Sequence, residues 1–172
     1  MKVSLDSIKE LRSITSASIV VCKEMLKESG GDVHKAVDLL RKRGLKIAAE
    51  KQDRTAKEGR IEAYVHTGNK IGVLLEVDCE TDFVARNGDF CQFTKDVAMQ
   101  IAACNPLYLK REDVPKEAAG EDKEQFYKEH CLLEQVFVKD SSITIKDYLG
   151  SLLAKFNENI VIRRFIRYRI AA

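Results

Sequence analysis

The sequence predicts an α+β protein: a three-helix N-terminal module, then an antiparallel sheet with helices packed on one face. Three observations lead there. Leu5, Ile8, Leu11 and Ile14 recur at helical spacing near the N-terminus. A strand with Ile71, Val73, Leu75 and Val77 on its core face is reached through a Gly68-Asn69 turn, whose residues both tolerate positive φ. Beyond it, Phe90, Phe93, Val97, Ile101 and Cys104 follow at intervals of three and four, the spacing of a helix that covers a sheet.

Residues 1–43 read as three short helices. Ser16 or Ser18 caps the second, which buries some of Ile19, Val20, Met25 and Leu26, and Gly30-Gly31 ends it because glycine accepts the left-handed C-cap. Asp32 caps the third, with Val33, Ala36, Val37 and Leu40 on its inner face. Residues 44–58 carry alternating charge and read as a helical connector ending at Gly59, more a solvated face than an RNA contact. Residues 59–172 form the α+β core. A hairpin spans 60–78, with Ile61, Ala63 and Val65 alternating with polar residues. A helix over Asp89 to Ala103 is stopped by Pro106. One charged helix is expected over 116–134. Thr144 with Asp147 resembles a capping box before Tyr148, Leu149, Leu152 and Phe156. The chain closes on a strand, Asn159 to Ile170, in which Ile160, Ile162, Ile166, Tyr168 and Ile170 are expected on one side.

Bulk properties exclude several function classes. The 172 residues allow one ordinary domain plus a small module. With 29 Lys+Arg against 27 Asp+Glu, the net charge of +2 does not announce nucleic-acid binding. No apolar run approaches the roughly 20 residues of a membrane span, and the charged N-terminus lacks a signal-peptide core. The expectation is a cytoplasmic protein, or an organelle form freed of its transit peptide. Cys22, Cys79, Cys91, Cys104 and Cys131 are odd in number and lack zinc-ligand spacing, so they read as free thiols. His130 and Cys131 are adjacent, so on a helix they point about 100° apart and are poorly placed as a nucleophile–base pair.

Glu76, Asp78, Glu80 and Asp82 alternate and could hold Mg²⁺ for phosphoryl chemistry; the plainer reading is a solvated strand face. No phosphate-binding loop pattern is present, so no cofactor, resident metal or nucleotide site is expected on this chain. Arg163, Arg164, Arg167 and Arg169 make the last strand basic, which suits a salt-bridged face or an assembly edge better than a nucleic-acid groove. The most informative stretch is Thr81-Asp82-Phe83-Val84-Ala85-Arg86-Asn87, a polar strand-to-helix junction with one aromatic in it. Phe83 either closes the end of the sheet from inside or stands exposed as an anchor for a partner's pocket.

That junction resembles the signature of elongation factor Ts. Four further segments agree: Ile8 to Thr15 with Cys22 to Leu26, Gly30 to Arg41, Ala56 to Gly59, and Glu158 to Phe165. The resemblance covers nearly all of the chain except roughly 110–135. It implies a non-enzymatic factor of protein biosynthesis that drives guanine-nucleotide exchange on elongation factor Tu. It assigns Thr81, Asp82, Phe83 and Val84 to dislodging Mg²⁺ from that partner, and Arg12, Ile19 and Val20 to docking of the N-terminal module, whose three helices look like a ubiquitin-associated fold. It also implies a short, single-core form, expected to pair as a homodimer without direct nucleic-acid or membrane contact. The competing reading is a ubiquitin-associated-type interaction scaffold without exchange activity. Three departures stand out. Ser16, Ser18 and Val21 replace two glycines and an acidic residue, with Ile19 and Val20 where methionines are usual. Residues 110–135 are shorter than in most members, so a projecting helical hairpin is expected to be reduced. Gln100 replaces a histidine of the long core helix.

Overall fold

The structure, a computed structural model, describes residues 3–15, 17–51 and 53–170. The chain divides into two compact units, one of residues 1–54 with 147–159 and one of 55–146 with 160–172.

The first unit opens with α1 (Leu5–Thr15), α2 (Ile19–Glu28) and α3 (Val33–Lys51). Ser18 caps α2, its Oγ accepting from the Val21 N–H at 3.4 Å; Ser16 lies outside the described residues. Gly30 and Gly31 take φ of 71° and 91°, and the Gly31 N–H reaches back to the Leu26 carbonyl at 2.7 Å, which closes α2. Asp32 accepts from the Lys35 N–H at 3.0 Å, and that bond holds its carboxyl below the usual range. Ile8, Leu11, Cys22, Met25, Leu26, Ala36, Val37 and Leu40 form the core between the three helices. Of the four α2 residues among which burial was expected, Met25 and Leu26 turn inward while Ile19 and Val20 face solvent. α3 continues through Lys51 without a break at residue 43, and the helical part of the connector stops at Lys51; the first strand of the second unit begins at Glu58.

That unit contains the hairpin β1 (Glu58–Val65) and β2 (Ile71–Cys79), then α4 (Asp82–Ala85) and α5 (Gly88–Cys104). β1 and β2 pair antiparallel from Glu58↔Cys79 to Val65↔Gly72. Val73, Leu75, Val77 and Cys79 of β2 are buried beneath Phe90, Phe93, Val97 and Ile101 of α5, with Phe90 and Phe93 the bulkiest of them. On β1 the residue facing α5 is polar. Glu62 is buried and takes hydrogen bonds from Arg60 Nε at 2.8 Å and Thr94 Oγ1 at 3.2 Å, so its charge is compensated.

The single charged helix expected over 116–134 is not found. Gly120 adopts φ 61° and Asp122 caps a shorter helix, α6 (Lys123–His130), by accepting from the Gln125 N–H at 3.0 Å. Buried Cys131 and Leu132 then draw the chain into a 3₁₀ turn at Leu132–Glu134. Arg111 ties this region together through Glu124 at 2.7 Å and Glu134 at 2.6 Å. A small hairpin follows, β3 (Val136–Phe137) with β4 (Asp140–Thr144). α7 (Ile145–Phe156) starts where the Thr144 motif places it, and from Asp147 onward its residues belong to the first unit. There α7 crosses α3 closely enough that Gly44 and Gly150 face each other backbone to backbone.

Gln100, fully buried on α5, fixes the β3–β4 hairpin. Its Nε2 donates to the Gln135 side chain at 3.2 Å and the Val136 carbonyl at 3.1 Å, and its Oε1 accepts from the Val138 N–H at 2.9 Å. Gln100→Leu leaves those groups without partners, and a loss of about 2–4 kcal/mol of stability is expected, readable as a lower urea midpoint at unchanged m-value.

The chain ends in β5 (Val161–Arg169), which pairs antiparallel with β2 to give the sheet order β1-β2-β5. The expectation that its apolar residues share one side is corrected by a bulge. The register shifts between Glu76↔Arg164 and Val77↔Ile162, so Arg163 is an extra residue. One extra residue exchanges the faces. Ile160 and Ile162 are buried, whereas Ile166, Tyr168 and Ile170 emerge on the side away from α5. Phe165 and Arg167 take the inner side instead. Arg167 caps the end of α5, donating to the Ala102 carbonyl at 3.0 Å and Asn105 Oδ1 at 3.0 Å. No described helix is long and apolar enough to cross a membrane.

Candidate functional site

β2 ends at Cys79, and the seven-residue junction after it consists of two caps in succession. Thr81 is the N-cap of α4, its Oγ1 accepting from the Val84 N–H at 3.4 Å. Asn87 is the N-cap of α5, its Oδ1 accepting from the Asp89 N–H at 2.9 Å. Between them lies one helical turn, closed by the Arg86 N–H on the Asp82 carbonyl at 3.1 Å. Two thiols hold that turn from behind. Cys79 Sγ donates to the Thr81 carbonyl at 3.2 Å, and Cys91 Sγ to the Ala85 carbonyl at 3.7 Å.

Val84 fills the core at 2% exposure, and its helical neighbour Phe83 therefore points outward, with 75% of its surface exposed. Of the two readings of Phe83, closing the sheet and standing at the surface, the second describes its position. Thr81 and Asp82 are exposed as well, so the four residues grouped by sequence divide into three at the surface and one, Val84, that anchors them. The Asp82 carboxylate meets Arg86 Nη2 at 3.2 Å. A shallow recess of about 440 Å³ beside the ring is lined by Asp82, Phe83, Arg86, Asn87 and Gly88.

The alternating carboxylates do not converge. Glu76 is taken by Arg164 at 2.5 Å and Asp78 by Arg163 at 2.8 Å, so two of the four arginines of the last strand are salt-bridged to these carboxylates. His130 meets Phe126 in a tilted ring contact, centroids 4.4 Å apart, while Cys131 is buried; burial pushes the Cys131 thiol up, away from the reactive thiolate.

In the first unit, Arg12 on α1 and Ile19 and Val20 at the start of α2 are all exposed, the last two by 55% and 66%. Two adjacent aliphatic side chains turned out of a helix whose opposite face is core form a small apolar patch, and Arg12 is an exposed cation of the preceding helix.

A third surface escaped the sequence reading. The side of the sheet opposite α5 bears Ile61, Val65, Leu74, Ile166 and Tyr168, each 45–69% exposed. Leu74 lies between Ala63 and Ile166 in register, and Gly72 between Val65 and Tyr168, so two rows cross the three strands, bordered by Ile61, which is opposite Glu76. The signal was present in Ile61, Ala63 and Val65, which alternate opposite a strand whose other residues are apolar too. Once Glu62 faces inward, that apolar set must face out.

Comparison with known proteins gives one consistent result. The family described as Elongation factor TS matches residues 8–125. The chain is 47% identical to Elongation factor Ts of Caldanaerobacter subterraneus over 191 positions, covering 96% of each protein. It is 45% identical to Elongation factor Ts of Thermodesulfovibrio yellowstonii, with 99% of this chain and 97% of that one covered. Against Elongation factor Ts of Desulfotalea psychrophila the identity is 43%, with both chains covered completely over 197 positions. That alignment is longer than the 172-residue chain, so this relative carries residues that the chain lacks.

Proposed function

The chain belongs to the elongation factor Ts family, and from that premise we propose that it binds elongation factor Tu·GDP, displaces Mg²⁺ and promotes release of GDP. The observation that carries this reading is Phe83: a benzyl side chain three-quarters exposed on a backbone turn fixed by two caps, beside a carboxylate. A turn held this way has little backbone entropy left to lose on docking, which favours an anchor residue.

A GTPase holds GDP through a phosphate-cradling loop, Mg²⁺ and a base pocket. A factor that binds the empty GTPase better than the loaded one weakens GDP binding by the same ratio. Each tenfold acceleration of release needs the barrier lowered by about 1.4 kcal/mol. Phe83 pushes between helices of the partner's GTPase domain at the Mg²⁺ end of the pocket, and Asp82 disturbs the groups that position the ion. Because Mg²⁺ demands near-ideal octahedral geometry, a small displacement there supplies several such increments. Val84 and Thr81 contribute by keeping the turn rigid. No bond is made or broken in this cycle, so the protein is an exchange factor and not an enzyme. Stopped-flow release of a fluorescent GDP from elongation factor Tu tests the reading: strong acceleration is expected, and a rate equal to the spontaneous one would leave only a scaffold.

Arg12, Ile19 and Val20 dock the N-terminal module on another helix of the same domain. Docking residues act on affinity. Val20→Asp is therefore expected to raise the half-saturating concentration in the release assay roughly tenfold or more while the rate at saturation stays unchanged.

The bare sheet face supports a homodimer. Exposed apolar rows of this extent mark association surfaces, and β5 is an edge strand beside them. A two-fold pairing buries the same rows on both copies. Sedimentation at micromolar concentration is expected to give twice the 19.5 kDa chain mass, and Leu74→Lys to shift it to one; a wild-type monomer would contradict the pairing.

A further inference from the structure

The Asp82–Arg86 ion pair borders the same recess as the Phe83 ring, and from that juxtaposition we infer that Arg86 is itself a partner-contacting residue. On docking, its guanidinium takes the place of the departing Mg²⁺ against the aspartate with which P-loop GTPases help to hold that metal. The inference rests on the exchange reading above and adds to it a residue and a charge.

Arg86 differs from the other arginines whose ion pairs lie in its unit. Arg60, Arg111, Arg163 and Arg164 each pair with a partly buried carboxylate, Glu62, Glu134, Asp78 and Glu76, whose side chains are 11%, 17%, 16% and 26% exposed, and Arg111 holds the exposed Glu124 in addition. Each of these arginines compensates a charge the fold has partly removed from water. Asp82 is 60% exposed and Arg86 itself 81%. A pair this open does little for the fold, and solvent or another anion replaces it readily. The backbone beneath is fixed nonetheless. Arg86 closes α4, and the next residue caps α5 and bonds its own N–H to the Val84 carbonyl at 3.0 Å. A Cβ built on Gly88 would meet nothing within 4 Å, so the recess opens outward on that side. The guanidinium is thus an exposed cation on a rigid base, beside the residue that enters the partner.

Removing Mg²⁺ from a carboxylate leaves that ligand uncompensated, and bringing up Asp82 adds a further negative charge. A planar guanidinium with several donors offsets both. The contact must be with the protein's carboxylate and not with the nucleotide's phosphates. A bond to GDP would hold the nucleotide in place, whereas one that forms only after the metal leaves favours the empty state, as exchange requires.

The test compares wild type with Arg86→Gln, Arg86→Lys and Arg86→Gln in an Asp82→Asn background. Affinities for nucleotide-free and GDP-loaded elongation factor Tu are measured, and catalysed release is followed across a Mg²⁺ titration. Arg86→Gln is expected to weaken binding to the empty partner about tenfold, leave binding to the loaded partner within about twofold, and lower severalfold the Mg²⁺ concentration that halves the catalysed rate. Lysine recovers part of the loss, and the loss persists in the Asp82→Asn background. Unchanged Mg²⁺ dependence and empty-partner affinity would overturn the inference. So would a loss that disappears with Asp82→Asn, because Arg86 would then act only by holding Asp82. Wild-type protein that accelerates release while Arg86→Gln matches it removes this inference alone; wild-type protein that does not accelerate release removes the exchange reading and the inference with it.

Discussion

Phe83→Ala is expected to lower catalysed GDP release roughly thirtyfold or more, the kinetic equivalent of the 2 kcal/mol or greater loss typical of a buried aromatic anchor. The same substitution is expected to leave the fold intact. Phe83 lies outside the core, and surface changes of this kind stay within about 0.5 kcal/mol. Activity and stability therefore separate at this position. At Val84 they do not, since that side chain is 2% exposed and its truncation loosens the turn and the core together. Release rates for Phe83→Ala beside a thermal melt distinguish an anchor from a merely structural ring. An unchanged melt with a large kinetic loss is the expected pair.

Gly44→Ala carries a large expected effect on stability. A Cβ at that position would lie 1.7 Å from the Gly150 carbonyl oxygen and 2.6 Å from its carbon. Both are backbone atoms of α7, so no side-chain rotation relieves the overlap and the two helices must part by more than an ångström. The crossing is further held where Lys51 Nζ donates to Asn157 Oδ1 at 3.0 Å and to the Asn157 carbonyl. Overpacking typically costs about 1–3 kcal/mol, and a backbone obstruction belongs at or above the upper end. About 3 kcal/mol in a chain of this size corresponds to a fall in Tm of roughly 6–12 °C. A melt unchanged within a degree would mean that α3 and α7 do not cross as described.

Much of this architecture was legible from local signals, because the signals act locally. Gly30-Gly31 stops α2 through backbone freedom, Asp32 starts α3 through a side-chain cap, and the apolar spacing of α5 follows from the helical repeat. The misreadings have non-local causes. The bulge at Arg163 depends on register against β2, and no periodicity within β5 reveals an extra residue. Over 116–134 the helical appearance of a charged run outweighed Gly120, whose positive φ interrupts it. Glu62 looked like a solvated residue because its partners, Arg60 and Thr94, meet it only in the folded sheet. At the junction, the caps Thr81 and Asn87 and the inward Val84 were not read from the sequence, although Thr and Asn are residue types that cap helices. That Phe83 points out, and that Arg86 reaches Asp82, required the fold.

The central claim is that the Phe83 turn distinguishes the empty partner from the loaded one. Calorimetric affinities of wild type and Phe83→Ala for nucleotide-free and GDP-bound elongation factor Tu test it most directly. The account predicts that wild type binds the empty form far more tightly and that Phe83→Ala loses most of that preference, chiefly by weakening on the empty form. Equal weakening on both forms, or an undiminished preference in Phe83→Ala, would contradict it.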